Sequence, residues 1–399
     1  MSQEMEDPAI IHSRYALVGD SLELMENVEL VIGKNLEILD ISETTKVEKE
    51  TTVLLPSFFN AHAHAGDYGL RGIKPNDLSI LVGPEGLKVK YLTSLSDQRL
   101  RLNLENFNYE SSILGIGGYN DFREGGVQGL TPYLESPLLK KKVKKAGYRT
   151  KITGFEGIEA KNSIEETLDY FLPFVQILGR PKDLEELDLV LDIVGLGIRD
   201  LYAYNMEDLF HMAKTVEKRD SHFQIHAGED PKLTERSNIE NGMGDIQFCA
   251  ENLKPNAIVH GNHGTIEDYR ALKEGNIGLI LCPRSNIFTK TKLHPYDLIQ
   301  KAGLSPLQIG IGSDNAMFHS PVMWKDIKAI FDNSSFSARE ILQMATVGGA
   351  NISGFKNWSL EKGNYFNGTK WLFHRSIDKD EIYTRMVFHG RNAAIMHLD

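Results

Sequence analysis

From Val53 onward, short apolar segments alternate with longer amphipathic segments, and this alternation constrains the fold more than any other feature of the chain. Apolar strands separated by helices of this length are typical of βα units wound around a parallel sheet. The pattern repeats through eight units before it stops near Gly354. Eight such units are the number in a (β/α)8 barrel. We therefore predict an α/β protein whose main domain is a TIM barrel.

The predicted strands share an apolar body and a polar or glycine-containing end, and they cover residues 53–64, 115–126, 148–155, 189–197, 221–230, 257–263, 277–287 and 307–318. Helical spacing of apolar residues predicts helices over residues 96–114, 130–146, 163–176, 205–218, 265–274, 295–302 and 337–350. Residues 66–95 are rich in glycine and proline and follow the first strand. A connection of that length is usually functional, so we predict a lid.

Both ends of the chain differ from this pattern. Residues 8–55 and the segment after Gly354 consist of short β segments separated by turn residues. A chain of 399 residues is also longer than one core usually organises. We predict that residues 1–55 and 356–399 form one small composite domain, similar to a β-sandwich, and that residues 56–355 form the (β/α)8 barrel.

Composition narrows the function classes. The formal net charge of −11 argues against nucleic-acid binding, which needs clustered Lys and Arg, and the basic run Lys140–Lys145 is typical of a solvated helix face. Two cysteines, Cys249 and Cys282, exclude a disulfide framework and a cysteine-based zinc site. The acidic start and the absence of an apolar run of ~18 residues predict a cytoplasmic protein without a membrane partner. The sequence leaves open whether the protein forms a homo-oligomer.

The segment PSFFNAHAHAGD carries His62 and His64 at the end of the first predicted strand. Side chains two residues apart on a strand point to the same face, and the small residues around this pair leave both imidazoles accessible. Imidazole is a common ligand of zinc and other first-row metals. Taken alone, the pair could also belong to a surface strand, so the metal interpretation needs further ligands.

Further ligand-type residues lie at the ends of three later strands: His226 with Glu229 three residues on, then His260, and finally Asp314. Active sites of barrels lie at the carboxyl ends of the strands. A lone histidine is more often a hydrogen-bonded core residue, and an aspartate in GSDN could be a turn residue. Their recurrence at the same end of the predicted barrel favours one mononuclear metal site with a position left open for water.

These motifs, in this order, resemble the amidohydrolase superfamily, in its deaminase and chlorohydrolase branch with cytosine deaminases, S-adenosylhomocysteine deaminases and adenosine deaminase-like enzymes. The resemblance rests on PSFFNAHAH, HAGED, IVHGNH, LCPRSN and IGSDN, which together span most of the chain. It implies that one zinc or, alternatively, iron is held by four ligands, namely His62, His64, His226 and Asp314. It also implies that Glu229 shuttles protons and that His260 orients the attacking water or the carbon it attacks.

The chemistry agrees with these roles, because a divalent metal lowers the pKa of bound water from ~15.7 toward ~7 and a carboxyl group beside it can move protons. Asp314 would act both as a ligand and as the first acceptor of the water's proton. The fourth predicted strand, LVLDIVGLG, has no lysine that could bridge two metals, which favours one metal. Two segments depart from the family: KGNYFNGTKWLF lacks its usual Ala-Asp, and GSDN replaces the commoner GTDG or GTDD.

The resulting hypothesis is hydrolytic deamination of an amino-substituted heterocycle, a purine or nucleoside-like small molecule. Hydrolysis of a cyclic amide or dechlorination at the same site is the alternative, and an inactive binding protein is a third possibility that the complete ligand set disfavours. Four residues after strand ends are predicted to contact substrate: Arg71, Arg123, Arg284 and Asn286. Arginine can hold a carboxylate or phosphate with two hydrogen bonds, although structural ion pairs are an equal alternative.

Overall fold

The computed structural model describes residues 8–33, 36–46, 48–136 and 173–396. The predictions over residues 140–145 and 148–155 therefore lie outside the described residues, as does most of the helix predicted over residues 163–176. Among the described residues, no helix combines the length and apolar character that a membrane crossing needs.

Two sheets organise the described residues. The strands are β1 (Ala9–Val18), β2 (Glu23–Ile32), β3 (Ile38–Glu43), β4 (Thr51–Pro56), β5 (Phe58–His64), β6 (Ile116–Arg123), β7 (Phe174–Gly179), β8 (Gly195–Ile198), β9 (Phe223–Ala227), β10 (Ala257–His260), β11 (Gly278–Leu281), β12 (Ile309–Ile311), β13 (Asp314–Asn315), β14 (Gly368–Phe373) and β15 (Ala394–Met396).

The α-helices are α1 (Leu78–Val82), α2 (Leu87–Ser94), α3 (Asp97–Ile113), α4 (Gly126–Glu135), α5 (Leu184–Leu191), α6 (Met206–Arg219), α7 (Pro231–Asn241), α8 (Asp245–Phe248), α9 (Ile266–Glu274), α10 (Pro283–Phe288), α11 (Tyr296–Ala302), α12 (Met323–Asn333), α13 (Ala338–Gln343), α14 (Gly349–Ile352) and α15 (Ile382–His389). Single π-helical turns, Cys249–Leu253 and Met344–Gly348, continue α8 and α13.

Strands β5 to β12 form the predicted barrel. Each pairs in parallel with the next, and β12 closes the ring by pairing with β5 through Ile311 and Asn60. The short strand β13 then pairs with β5, setting Asp314 beside Ala63. Since the carboxyl ends of parallel strands lie at one end of a barrel, the closure brings the motifs of distant strands together.

One strand lies elsewhere than predicted. The third strand of the barrel is β7, so the predicted helix over residues 163–176 is wrong where it enters Phe174–Gly179. The predicted fourth strand is also too long, because Leu189 to Leu191 end helix α5 and the strand starts at Gly195. Short apolar runs fit a buried strand and a buried helix equally well, which explains both errors.

The termini meet in one six-stranded sheet ordered β15-β14-β4-β1-β2-β3, which confirms that both ends of the chain build the second sheet. Only Ser57 separates β4 of this sheet from β5 of the barrel. The two layers share a core: Trp371 of β14 packs 5.8 Å from Phe58 and 5.3 Å from Trp324, measured between ring centroids. Helix α15, between β14 and β15, is an element that the sequence patterns did not predict.

Candidate metal centre and active site

The four predicted metal ligands converge at the carboxyl end of the barrel. His62 and His64 end β5, His226 lies in β9, and Asp314 follows β12. Asp314 Oδ1 lies 3.3 Å from His62 Nε2 and 3.5 Å from His64 Nε2, while His226 Nε2 lies 3.2 Å from His62 Nε2. All four side chains are buried. Nitrogen and oxygen lone pairs crowded at these distances form a donor set that a single cation would satisfy.

The protonation states suit a metal as well. Burial lowers the pKa of His62 to about 3 and lowers the pKa values of His64 and His226, so all three rings are neutral near pH 7. Burial by itself raises the pKa of Asp314, but the contacts with His62, His260 and His64 together outweigh it, and the carboxylate titrates well below its usual range. Three neutral imidazoles and one carboxylate are a donor set typical of zinc, and they fit the predicted ion.

Two contacts on the far side of the rings orient the ligands. His226 Nδ1 donates to the Ile198 carbonyl at 3.1 Å, which leaves the Nε2 lone pair directed toward the other ligands. His64 Nδ1 lies 3.1 Å from Glu124 Oε1, at the end of β6. Such partners hold a ligating histidine in one tautomer and one orientation.

Glu229 and His260 stand beside this cluster. His260 Nε2 lies 3.4 Å from Glu229 Oε1 and 4.0 Å from Asp314 Oδ2. Burial raises the pKa of Glu229 to about 7, so its carboxyl group is poised to gain or lose a proton at neutral pH. Both His260 and Asp314 adopt left-handed backbone conformations, with φ of 74° and 58°. Non-glycine residues in that region are uncommon and cluster at functional sites.

Asp314 is held from two directions. Ser285 Oγ donates a short hydrogen bond to its Oδ2, and the side-chain amide of Asn315 donates to its Oδ1 at 2.9 Å. Asn315 is the residue at which GSDN departs from the commoner motif. Its amide therefore helps to fix the carboxylate among the predicted metal-ligating atoms.

A lysine of the predicted lid reaches the site. Lys88, on α2, is buried and places Nζ 2.7 Å from Glu124 Oε1 and 4.0 Å from Asp67 Oδ2. Lys88, Glu124 and His64 thus form a chain of contacts from the predicted lid to the predicted metal ligands. The lid was predicted from its length, but Lys88 carried no sequence signal, because one lysine among many does not show which of them folds inward.

Above the ligands lies a cavity of about 490 Å³. Its lining includes the polar residues His226, Glu229 and Asp314, apolar residues of α2 and α3, and Phe122. Three basic residues of the lining follow strands β7 and β8 and give this part of the cavity a positive charge: Arg180, Lys182 and Arg199. The volume lies within the range of pockets that enclose small organic ligands.

The four predicted substrate contacts occupy different positions. Arg123 lines the cavity, but it is buried and donates to Glu124 at 2.8 Å. The other three, Arg71, Arg284 and Asn286, are not part of the cavity lining. Arg71 pairs with Glu110, Arg284 pairs with Asp326, and the Asn286 amide bonds to buried neighbours. Substrate contact by these four residues stays a prediction. Each of them already has a partner within the protein with which a substrate would compete.

The comparisons with known proteins agree with this architecture. Residues 53–391 match the profile of the family described as "Amidohydrolase family". An uncharacterized protein of Methanocaldococcus jannaschii is 30% identical over 77% of this chain and 75% of its own length. A 5-methylthioadenosine/S-adenosylhomocysteine deaminase of Caldicellulosiruptor saccharolyticus is 22% identical over 87% of this chain and 80% of its own. A crystal structure of an adenosine deaminase from Xanthomonas campestris with bound zinc superposes with a TM-score of 0.72, at 15% identity, over 98% of this chain and 90% of that one.

Proposed function

The chain belongs to the amidohydrolase family, and from that membership we propose that it hydrolytically deaminates an amino-substituted heterocycle, purine or nucleoside-like. The observation that carries the proposal is the convergence of three neutral histidines and Asp314 with Glu229, next to one cavity that His64, His226, Glu229 and Asp314 line. Relatives named as deaminases of adenine-containing thionucleosides, and a cavity sized for such a compound, support this substrate class.

The proposed metal ligands are His62, His64, His226 and Asp314. A zinc ion, or alternatively iron, would supply the Lewis acidity that makes water a nucleophile near pH 7. The chain's own part is then to place the heterocycle over these ligands and to move protons. The reaction needs two protein groups beside the heterocycle: an acid for a ring nitrogen and a polar group beside the attacked carbon.

Glu229 has the properties of that acid. Burial keeps part of its population protonated near pH 7, so its carboxyl can donate a proton to a ring nitrogen while oxygen adds to the adjacent carbon. The same carboxylate can then take a proton from the added hydroxyl group and pass it to the departing amine. Asp314 would take the first proton of the water, and the return of that proton to Glu229 restores the acid. The balance is one water consumed, one ring carbonyl formed and one ammonia released. His260 Nε2, 3.4 Å from Glu229, is placed to hydrogen-bond the added oxygen.

The decisive experiment measures ammonia release by zinc-loaded and iron-loaded protein across purines, pyrimidines, nucleosides and pterins, with chelator-treated protein as the control. We expect metal-dependent release from one ring class. Protein that holds one metal per chain yet releases no ammonia would contradict deamination and favour cyclic amide hydrolysis or dechlorination.

A Glu229→Gln variant tests the acid directly. Gln keeps the shape but cannot exchange the proton, so we expect kcat to fall by about 10²–10⁴-fold, the usual contribution of a general acid or base. Metal content, measured by atomic emission, should stay near that of the wild type because Glu229 is not a proposed ligand. Retained turnover would remove Glu229 from this role.

We further propose a cytoplasmic location and a monomer or homo-oligomer without nucleic-acid or membrane partners. Both cysteines, Cys249 and Cys282, are free and buried, which suits a reducing compartment.

A further inference from the structure

Behind His260, on the side away from the cavity, four groups form a buried chain of polar contacts: the Cys282 amide, His294, Asn286 and His260 itself. We propose that Asn286 and His294 are positioning residues that hold the proton of His260 on Nδ1, so that Nε2 faces the reaction site with its lone pair. The expected effect on turnover rests on the proposed function, whereas the tautomer itself is inferred from the contacts alone.

The chain of contacts starts at the Cys282 backbone N–H, which fixes the direction of the first hydrogen bond. The backbone N–H of Cys282 can only donate, and it lies 3.0 Å from His294 Nε2. His294 Nε2 must therefore accept, which leaves the proton of the neutral ring on Nδ1. The ring is neutral because burial lowers the pKa of His294 to about 3.

The second step fixes the orientation of the Asn286 amide. Its Nδ2 lies 3.0 Å from His294 Nε2 and 2.9 Å from Asn262 Oδ1, and both of these atoms are acceptors. Two acceptors select the NH2 end of the amide, since a flipped amide would set its oxygen against two lone pairs. Asn286 is fully buried, so water does not offer a substitute partner.

The third step reaches His260. With the NH2 group committed, Asn286 Oδ1 is the atom that lies 3.3 Å from His260 Nδ1. An amide oxygen only accepts, so Nδ1 must carry a proton. This contact disfavours the neutral tautomer with its proton on Nε2. The lone pair of a neutral His260 then points toward Glu229 and Asp314, where it can accept a hydrogen bond from the protonated Glu229 or from the added oxygen.

The local sequence explains why these residues meet. Asn286 lies on α10, directly after β11, and His294 lies in the connection to α11. Both residues therefore belong to the same βα unit as Cys282. Asn286 was predicted to contact substrate because it follows the end of a strand. The geometry assigns it instead to the far side of His260, where it acts on the reaction through the histidine.

The test reads the tautomer in zinc-loaded protein with ¹⁵N-labelled histidine, using long-range ¹⁵N–¹H imidazole spectra and a His260→Gln spectrum to assign the signals. We expect Nδ1 of His260 to show the protonated type of shift and Nε2 the unprotonated type. The proton on Nε2 in the wild type would overturn the proposal. No substrate is needed, so a failure of the proposed deamination and a failure of this inference are separately visible.

Variants then test whether the contacts through Asn286 and His294 cause this tautomer of His260. Asn286→Leu removes the acceptor, so we expect a mixed His260 tautomer and a kcat lower by about 100-fold, with KM little changed. His294→Gln keeps an acceptor for the Cys282 amide and should preserve both tautomer and kcat, whereas His294→Leu should not. An unchanged tautomer in Asn286→Leu, or equal kcat in the two His294 variants, would contradict positioning of His260 through Asn286 and His294.

Asn364→Leu is the control for the loss of amide hydrogen bonds at a half-buried position away from the site. Asn364 donates to Ser359 in the terminal sheet region, far in sequence from the site, and should leave the His260 spectrum and kcat unchanged. If Asn286→Leu does not fold, the wild-type spectrum and the His294 pair still decide the question.

Discussion

At the scale of single residues, the site combines the proposed metal ligands with groups that hold those side chains in place. Glu124 belongs to the second kind. It lies 3.1 Å from His64 Nδ1, and its charge is matched by Lys88 at 2.7 Å and Arg123 at 2.8 Å. These cations and His64 outweigh the effect of burial and keep the pKa of Glu124 well below its usual range, so it is ionised.

We expect Glu124→Gln to weaken metal binding by about 10–100-fold, the usual cost of losing a partner of a ligating histidine. A neutral amide supports the ring of His64 less well than a carboxylate. The measurement is a zinc competition titration with a chromophoric chelator. Glu105→Gln, at a partly exposed glutamate that accepts from Ser136, is the control for the same change away from the site. Equal zinc affinities would show that Glu124 does not support His64.

At the scale of elements, contacts between neighbouring segments decide which side chains are available to a substrate. The predicted lid is the clearest case. Helix α2 presents Lys88 inward, while Lys90, two residues on, is exposed. The ion pair of Lys88 with Glu124 therefore joins the lid to β6 and to the ligand His64.

Replacing Lys88 by Met should loosen this attachment and leave Glu124 without its strongest neighbour. We expect amide exchange in residues 78–94 to become about tenfold faster, which corresponds to ~1.4 kcal/mol of lost stabilisation. Hydrogen–deuterium exchange with mass spectrometry measures this. Lys90→Met is the matched control on the same helix and should exchange like the wild type. Identical exchange in the two variants would contradict a tether through Lys88.

Arg284 illustrates an element contact that competes with a predicted substrate contact. It joins α10 to α12 by donating to Asp326, which is buried, and to the Ser320 carbonyl at 3.2 Å. Removing one member of such a pair leaves a buried charge without compensation.

We expect Arg284→Met to lower the free energy of unfolding by about 3 kcal/mol, measured by urea denaturation. Arg219→Met, at an arginine that pairs with exposed Asp188 and Asp192, should cost less than about 1 kcal/mol. An Arg284 variant of normal stability with a raised KM would instead favour the predicted substrate contact.

At the scale of the whole molecule, the terminal sheet and the barrel behave as one packed unit. Trp371 of β14 is 4% exposed and lies against Phe58 of β5 and Trp324 of α12. The aromatic cluster joins the two layers directly behind the strand that carries His62 and His64.

Trp371→Ala should therefore destabilise the whole protein by about 3–5 kcal/mol, as large buried aromatics do when truncated. Denaturation followed by circular dichroism and by metal release should show one shared transition at lower denaturant. Leu39→Ala, at a 41% exposed position of the same sheet, is the control and should change stability little. Early unfolding of the sheet with metal retained would show that the two layers are not coupled.

Sequence patterns determined the barrel, its eight units and the location of the proposed metal ligands, because strand periodicity and residue type are local properties. The terminal sheet followed from the same patterns at both ends. Where a short apolar run is ambiguous, as in Phe174–Gly179, the patterns misplaced a strand, since burial on both faces removes the alternation that distinguishes strand from helix.

Only the tertiary structure decided which side chains meet across the closed barrel. Lys88 and Glu124 are 36 residues apart and His260 and Asn286 are 26 apart, and no local pattern specifies either pair. Those contacts arise from ring closure and packing. They determine which arginines are already paired, which amide is turned inward and which histidine nitrogen keeps its proton, and that is where the chemistry of this site is set.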